Sequence, residues 1–408
     1  MGTETIRSLR AWGMLSLGLV ATMSATTFIN GVAFLIPALD RERGISLAEA
    51  GLLSAMPSVG MVFTLIAWGY LVDRFGERFV LTAGLGATSI AVFAAASVHG
   101  MAAEAGCLLV GGAAAASANT ASGRLVTGWF PVQQRGLAMG IRQTAQPLGI
   151  AVAALVLPEL GERDFNVALL FPAAACAISA AACAFGVRDP HRPTPSIADP
   201  QETANPYRRS AMLWRIHLVS ALLMIPQTVV LTFMLVWLMR DHHWSVGSAG
   251  VLVSVSQLLG ALGRVAVGRW SDRVGARMGP VRMIAVAAAL CMLALALADR
   301  LDFALAIPLM VVAAVVTVLD NGLAFTAVAE SAGRYWSGRA MGAQNTTQRL
   351  TAGATPPIFG EIIDVGGYPT AFAVCGAVAV LALPLIPVGP EKRQSAAAAP
   401  AAPGRDAG

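Results

Sequence analysis

Gly69-Tyr70-Leu71-Val72-Asp73-Arg74-Phe75-Gly76-Glu77-Arg78 lies between two long apolar runs. The chain repeats the pattern as Gly268-Arg269-Trp270-Ser271-Asp272-Arg273-Val274-Gly275-Ala276-Arg277. Glycine, Asp-Arg, glycine and arginine fall at the same offsets in both copies. A second pair supports the repeat: Arg135-Gly136-Leu137-Ala138-Met139-Gly140 and Ser337-Gly338-Arg339-Ala340-Met341-Gly342. Both offsets are close to half of the 408 residues. The chain therefore reads as two related halves.

Composition fixes what the halves are made of. Hydrophobic residues are 56%, charged residues only 12%, and the mean hydropathy is +0.67. An average soluble domain carries about 25% charge. A soluble enzyme, a secreted disulfide scaffold and a disordered chain are excluded. Long Ala/Leu/Val/Gly runs fit membrane helices better than the alternating strands of a membrane barrel. The net charge of +5 comes from arginine, with Lys392 the one lysine. In such a chain the excess speaks to topology and not to nucleic acid. Cys107, Cys176, Cys183, Cys291 and Cys375 lie in apolar stretches without a CxxC pair, so free buried thiols are expected rather than disulfides or metal ligands.

A span needs about 20 apolar residues. Twelve are predicted, over 12–38, 47–71, 79–98, 104–128, 137–158, 167–187, 214–238, 248–270, 282–298, 303–329, 340–363 and 369–388. The first is too long for a signal-peptide core and reads as a retained span. The expected fold is an all-α polytopic membrane protein, twelve transmembrane helices in two pseudo-symmetric six-helix bundles. These are residues 1–188 and 213–390, joined by a Pro-rich linker over 189–212, expected to be extended and mobile, and followed by a disordered tail over 391–408. Arginine placement gives the orientation. Sixteen of the flanking arginines fall on the side of the N-terminus and linker, against Arg41, Arg43, Arg163, Arg240 and Arg300 opposite. Both termini and the linker are thus expected to be cytoplasmic, in the inner membrane.

On the two motif copies, the sequence resembles the major facilitator superfamily of secondary transporters over nearly its whole length. The family pattern between spans 2 and 3 is matched by Gly69, Leu71, Asp73, Arg74, Gly76 and Arg78, and departs at Glu77, where a base is usual. The second copy keeps Gly268, Asp272, Arg273, Gly275 and Arg277. The resemblance implies that Asp73, Arg74, Arg78, Asp272, Arg273 and Arg277 form a gate holding the cytoplasmic side shut. The bland alternative is that the arginines obey the topology rule and the aspartates neutralise them. The buried arginine of the family's fourth-span pattern has no counterpart in 108–116; the Ala/Gly/Ser run over 111–123 reads as a close-packing face.

Ionisable groups within a span are costly and point to function. Arg142, Gln143 and Gln146 share neighbouring turns before Pro147, a stripe suited to an anionic or strongly hydrogen-bonding solute; alternatively Arg142 snorkels to the interface. The repeat-related stripe is Gln344, Asn345, Gln348 and Arg349. Depth along the helices suggests that Asp320 pairs with Arg349, either structurally or as a coupling switch in which protonation frees the arginine. Arg124 and Arg264 read as interfacial anchors or gate partners, with Glu330 a candidate acid. The resemblance places spans 1 and 7 along the central path, where Asn30 and Gln227 are candidate solute contacts; Thr26 and Thr27 can instead bond their own backbone. His242 and His243 read as an interfacial cluster rather than a metal site.

The resulting expectation is a secondary active transporter moving a small solute, an organic anion, by alternating access, with proton coupling through Asp320. Its rivals are drug or metabolite efflux by proton antiport and a transporter-like solute sensor. No phosphate loop, metal cluster or nucleophile–base set points to an enzyme, and no cofactor is implied. The expected partners are the solute and the lipid bilayer, with no nucleic acid, for a monomer.

Overall fold

The computed structural model describes residues 3–44, 46–98, 100–190 and 200–387, and among them every regular element is helical. Ten helices long and apolar enough to cross a membrane are α1 (Ser8–Leu39), α2 (Glu49–Phe75), α3 (Glu77–Ser97), α4 (Met101–Trp129), α5 (Val132–Gly161), α6 (Phe165–Gly186), α7 (Met212–Arg240), α8 (Val246–Val274), α9 (Met278–Arg300) and α10 (Ala306–Ala332). An eleventh run, Ser337–Leu385, is two helices fused across Gly367, whose φ of 75° and ψ of 172° are not helical. We number its parts α11 (337–366) and α12 (368–385), which gives the twelve crossings expected.

Local chemistry sets several ends. Ser46 and Glu49 form a reciprocal capping box at the start of α2. Asp164 and Ser245 accept from Val167 N and Ser248 N at the starts of α6 and α8. The motif glycines make the tight joints: Gly76 (φ 91°) links α2 to α3 and Gly275 (φ 70°) ends α8. A Cβ on Gly76 would also run into the Asp189 carboxylate, which accepts from Arg78 N at 2.8 Å.

Large apolar side chains including Phe63, Ile90, Leu155, Ile178, Phe185 and Leu290 stand outward and exposed. An apolar belt of this kind is the lipid-facing surface of a membrane bundle. The linker is more structured than its proline content suggests. Short helical turns run over Pro200–Thr203 and Pro206–Arg209. Trp336 Nε1 donates to Thr203 O at 2.9 Å, docking the first of them on the α10–α11 corner. Residues 191–199 and the expected tail over 391–408 lie outside the described residues.

The halves meet unevenly. The part of α5 nearest the linker face, Arg135–Gln143, packs on α8 and α10 of the other half, whereas Ala145–Gly161 packs chiefly on α1 and α6 of its own. Likewise Asp320–Ala332 of α10 reaches α4 and α5, while Ala306–Val316 packs chiefly on α7, α8 and α9. Contact between the halves is concentrated toward the linker face, and they separate toward the opposite one.

Candidate functional site

Two carboxylates join the halves at the linker face. Asp73, at the end of α2, accepts from the backbone N–H of Gly338 (2.9 Å) and Arg339 (3.0 Å) at the start of α11. Asp272, at the end of α8, accepts from the backbone N–H of Gly136 (2.9 Å) and Leu137 (2.8 Å) at the start of the α5 segment Arg135–Gln143. Each motif copy therefore caps a helix of the opposite half, using free amides and the positive helix end. The repeated glycines allow the approach. A Cβ on Gly69 would strike the Gly338 carbonyl and the reverse, and Gly136 and Gly268 stand in the same relation. One turn deeper, Gly140 lies against the Arg264 carbonyl and Gly342 against that of Leu65.

Ion pairs reinforce both caps with opposite polarity. In the first, Arg124 on α4 lies 3.0 Å from Asp73 and 3.7 Å from Glu77, and its guanidinium also donates to Ser337 Oγ and to the carbonyls of Val72 and Arg334. In the second, Arg277 pairs with Asp272 (2.6 Å) and with Glu330 of α10 (3.3 Å), and Arg135 pairs with the same glutamate at 3.5 Å. Glu77, the departure from the family pattern, is fully buried beside Arg124 of α4. In the other half the base is Arg277 and the acid is on α10.

Not every expected gate residue bridges the halves. Arg78 donates from Nε to Ala184 O at 2.7 Å, closing the end of α6 within its own half. Arg74 turns outward onto Tyr70 Oη and the Phe75 ring, and Arg273 is exposed at the helix end. These three follow the surface, while Arg124, Arg135, Glu330 and Arg339 complete the bridges. Arg124 pairs with Asp73 rather than with Glu330. The signal for Arg124 was its place near the linker-face end of an otherwise apolar helix.

At mid-depth both α5 and α10 break. The α5 break falls at Thr144, and α10 tightens over 317–319 into bonds from Val318 N to Val315 O and from Leu319 N to Val316 O. Arg264 of α8 reaches both breaks, donating to Val318 O (3.3 Å) and to Gln143 O (3.5 Å). The α10 break places Asp320 two residues beyond Val318, whose carbonyl Arg264 holds. The expected Asp320–Arg349 ion pair is not formed.

Arg142 turns inward rather than snorkelling. It is 3% exposed and donates to Ser122 Oγ (3.0 Å), Asn119 O (2.6 Å) and Gln143 Oε1 (2.6 Å), with its Cζ 5.9 Å from the Phe325 ring of the other half. Arg349 lies twelve residues into α11, roughly 18 Å along the helix. It is partly buried and forms no hydrogen bond or ion pair among the described residues; it follows Gln348, which bonds Asn321 one turn from the Phe325 ring that Arg142 faces. Beside it a chain of amides crosses the second half: Gln348 Nε2 donates to Asn321 Oδ1 (3.0 Å), and Asn321 Nδ2 to Gln227 Oε1 (2.9 Å). Gln146 is exposed one turn past Arg142. Asn345 and Asn30 bond the carbonyls of Met341 and Thr26 on their own helices. Thr27 bonds Met23 O and also Gly149 O of α5.

Nearer the linker face, a network missed by sequence reasoning runs from Tyr207 Oη to His217 Nε2 (2.9 Å), from His217 Nδ1 to Gln344 Oε1 (2.6 Å) and from Gln344 Nε2 to Ser220 Oγ (2.6 Å). Burial pushes the Tyr207 phenol up to about 12. On the opposite face His242 stacks edge-on to Trp237 and lies 3.8 Å from Asp299, and no group of three or more metal-ligating side chains occurs among the described residues.

Twelve crossings, twofold-related caps and a polar layer between the halves define a transporter scaffold. The family model described as Major Facilitator Superfamily matches residues 17–356, and the chain belongs to that superfamily. It is 58% identical over 377 residues to the uncharacterized MFS-type transporter Rv2994 of Mycobacterium tuberculosis, covering 92% of this chain and 85% of that one. It is 24% identical over 392 residues to the probable sulfoacetate transporter SauU of Cupriavidus necator, covering 89% and 90%. Among solved structures, the human organic anion transporter MFSD10 superposes with a TM-score of 0.73 at 19% identity, covering 95% of this chain and 100% of that one. The E. coli fucose:proton symporter FucP gives 0.70 at 15%, covering 91% and 97%.

Proposed function

We propose that this transporter is a secondary active carrier of a small organic anion, working by alternating access between its halves. The observation that carries the reading is Arg349, a guanidinium deep in α11 with no acid partner among the described residues, set near the buried Arg142. Uncompensated cations inside a membrane are costly and persist where a ligand completes them. A carboxylate or sulfonate accepts the paired N–H groups that a guanidinium presents. Gln143, Gln146, Asn345 and the Gln227–Asn321–Gln348 chain supply neutral donors nearby, and Asn30 faces the same path on α1. The names of SauU and MFSD10 agree with an anionic solute.

In this reading the linker face is cytoplasmic and the membrane is the inner membrane, as the arginine bias favours. Asp73 and Asp272 hold that face closed, and the solute enters from the other side. Asp320 couples the cycle to protons. Its protonation removes the charge facing Arg264, which ties the α5 and α10 breaks across the seam; Arg142 and Arg349 are the other charges of this layer.

Proteoliposome uptake of organic acids, with and without a pH gradient, tests the reading. Saturable anion uptake that falls sharply in Arg349→Gln is the expected result. Transport of neutral or cationic solutes at wild-type rates in that variant, with no anion carried, overturns it.

A further inference from the structure

Resting on the anion reading, we infer that the solute is a small dianion whose two acidic groups are held by opposite halves, one at Arg142 and one at Arg349.

The inference comes from counting charge in one layer. At the level of the α5 and α10 breaks, the charged side chains are Arg142, Arg264, Arg349 and Asp320. Three guanidinium groups against one carboxylate leave two positive charges uncompensated. Arg264 is held at Val318 O, two residues from Asp320, while neither Arg142 nor Arg349 forms an ion pair among the described residues, so the surplus rests on these two. One belongs to α5 of the first half and the other to α11 of the second; the Arg142 guanidinium lies 5.9 Å from the Phe325 ring, one turn from Asn321, which bonds Gln348 beside Arg349. A monoanion would neutralise one and leave the other unpaired within the membrane, a costly arrangement. A dianion compensates both.

Donor capacity agrees. A guanidinium has five N–H donors. Arg142 uses Nε and one N–H on each terminal nitrogen for Ser122, Gln143 and Asn119, which hold it in place and leave two donors. Arg349 has all of its donors available among the described residues. The first site is rigid and the second adaptable. The halves are closed only toward the linker face, so a solute anchored on Arg142 and reaching Arg349 draws together the side that stands apart.

Calorimetric titration of the full chain in nanodiscs with matched acids tests this: malonate and succinate against propionate and methanesulfonate, with sulfate as a compact dianion. The two-ended dianions are expected to bind more tightly than the monoanions by about tenfold or more, the equivalent of one charge-assisted contact. Arg349→Gln is expected to weaken dianion binding more than monoanion binding and so erase that preference, and Arg349→Lys to restore part of it. Because the readout is a ratio within one variant, loss of folded protein does not mimic it. Equal binding of mono- and dianions overturns the dianion inference and leaves the anion reading standing. Sulfate binding as tightly as malonate overturns the two-ended clamp. Binding of none of these acids, with a neutral solute bound instead, overturns both readings.

Discussion

Gly69 on α2 and Gly338 on α11 meet backbone to backbone, so that a methyl group on either would occupy the other's carbonyl. Asp73 lies one turn beyond Gly69 and caps the helix that Gly338 begins. Close approach and cap are therefore a single device, and the second motif repeats it with Gly268, Gly136 and Asp272. Gly338→Val should prevent the linker face from closing without disturbing either half, since the clash lies only at the seam. Spin labels at Gln134 and Arg334 in a background lacking the native cysteines would report it. The expected outcome is a longer and broader distance distribution than in the parent; an unchanged distribution would show that the glycine contact does not set closure.

Glu77 fills a position where the family usually has a base, and its surroundings give the reason. It is buried beside Arg124, at 3.7 Å. Glu77→Lys, which restores the family pattern, should here set two cations against each other in a dry layer. Breaking a buried pair costs about 3–5 kcal/mol, so a marked drop in melting temperature is expected. Adding Arg124→Met should recover part of the loss. A Glu77→Lys protein as stable as the parent would mean that Arg124 is satisfied by Asp73 and the carbonyls of Val72 and Arg334 alone.

The twofold plan was legible in the chain because both devices leave strict spacing: glycines where backbones touch, aspartates where helices begin. The split of roles among the arginines was not. Arg74, Arg78 and Arg273 share the motif with Asp73 and Asp272, but helical rotation turns them to the surface or to α6, while the bridging Arg124 and Glu330 come from other helices. Depth along a helix also failed for Asp320 and Arg349. The count of residues placed them level, but the α10 break over 317–319 rotates Asp320 toward α8, and breaks of this kind leave no proline or glycine mark in 317–319.

Asp320→Asn should separate coupling from binding. The substitution keeps the shape of the side chain and removes its charge, so Arg264 retains its bonds to Val318 O and Gln143 O. Exchange of solute across proteoliposomes at equal pH is expected to continue, while stimulation by an imposed pH gradient disappears. Gradient stimulation that persists in Asp320→Asn would remove this residue from the coupling path.

Tyr207 ties the linker to the bundle through His217 and Gln344, so its hydroxyl should matter to stability in a pH-dependent way. Removing one buried hydrogen bond costs about 1 kcal/mol, and Tyr207→Phe is expected to be less stable than the parent by that order at pH 8. Burial raises the phenol to about 12 from its ordinary value of 10.0. The folded state therefore favours the neutral form, and the contribution is fully present below pH 10.0. As the pH rises further the unfolded chain ionises first, and the contribution is lost on passing through about 12. The gap in melting temperature between parent and Tyr207→Phe should thus be constant from pH 7 to 9 and narrow above 10. A gap that widens with rising pH would show that the phenolate, and not the phenol, is the form that His217 holds.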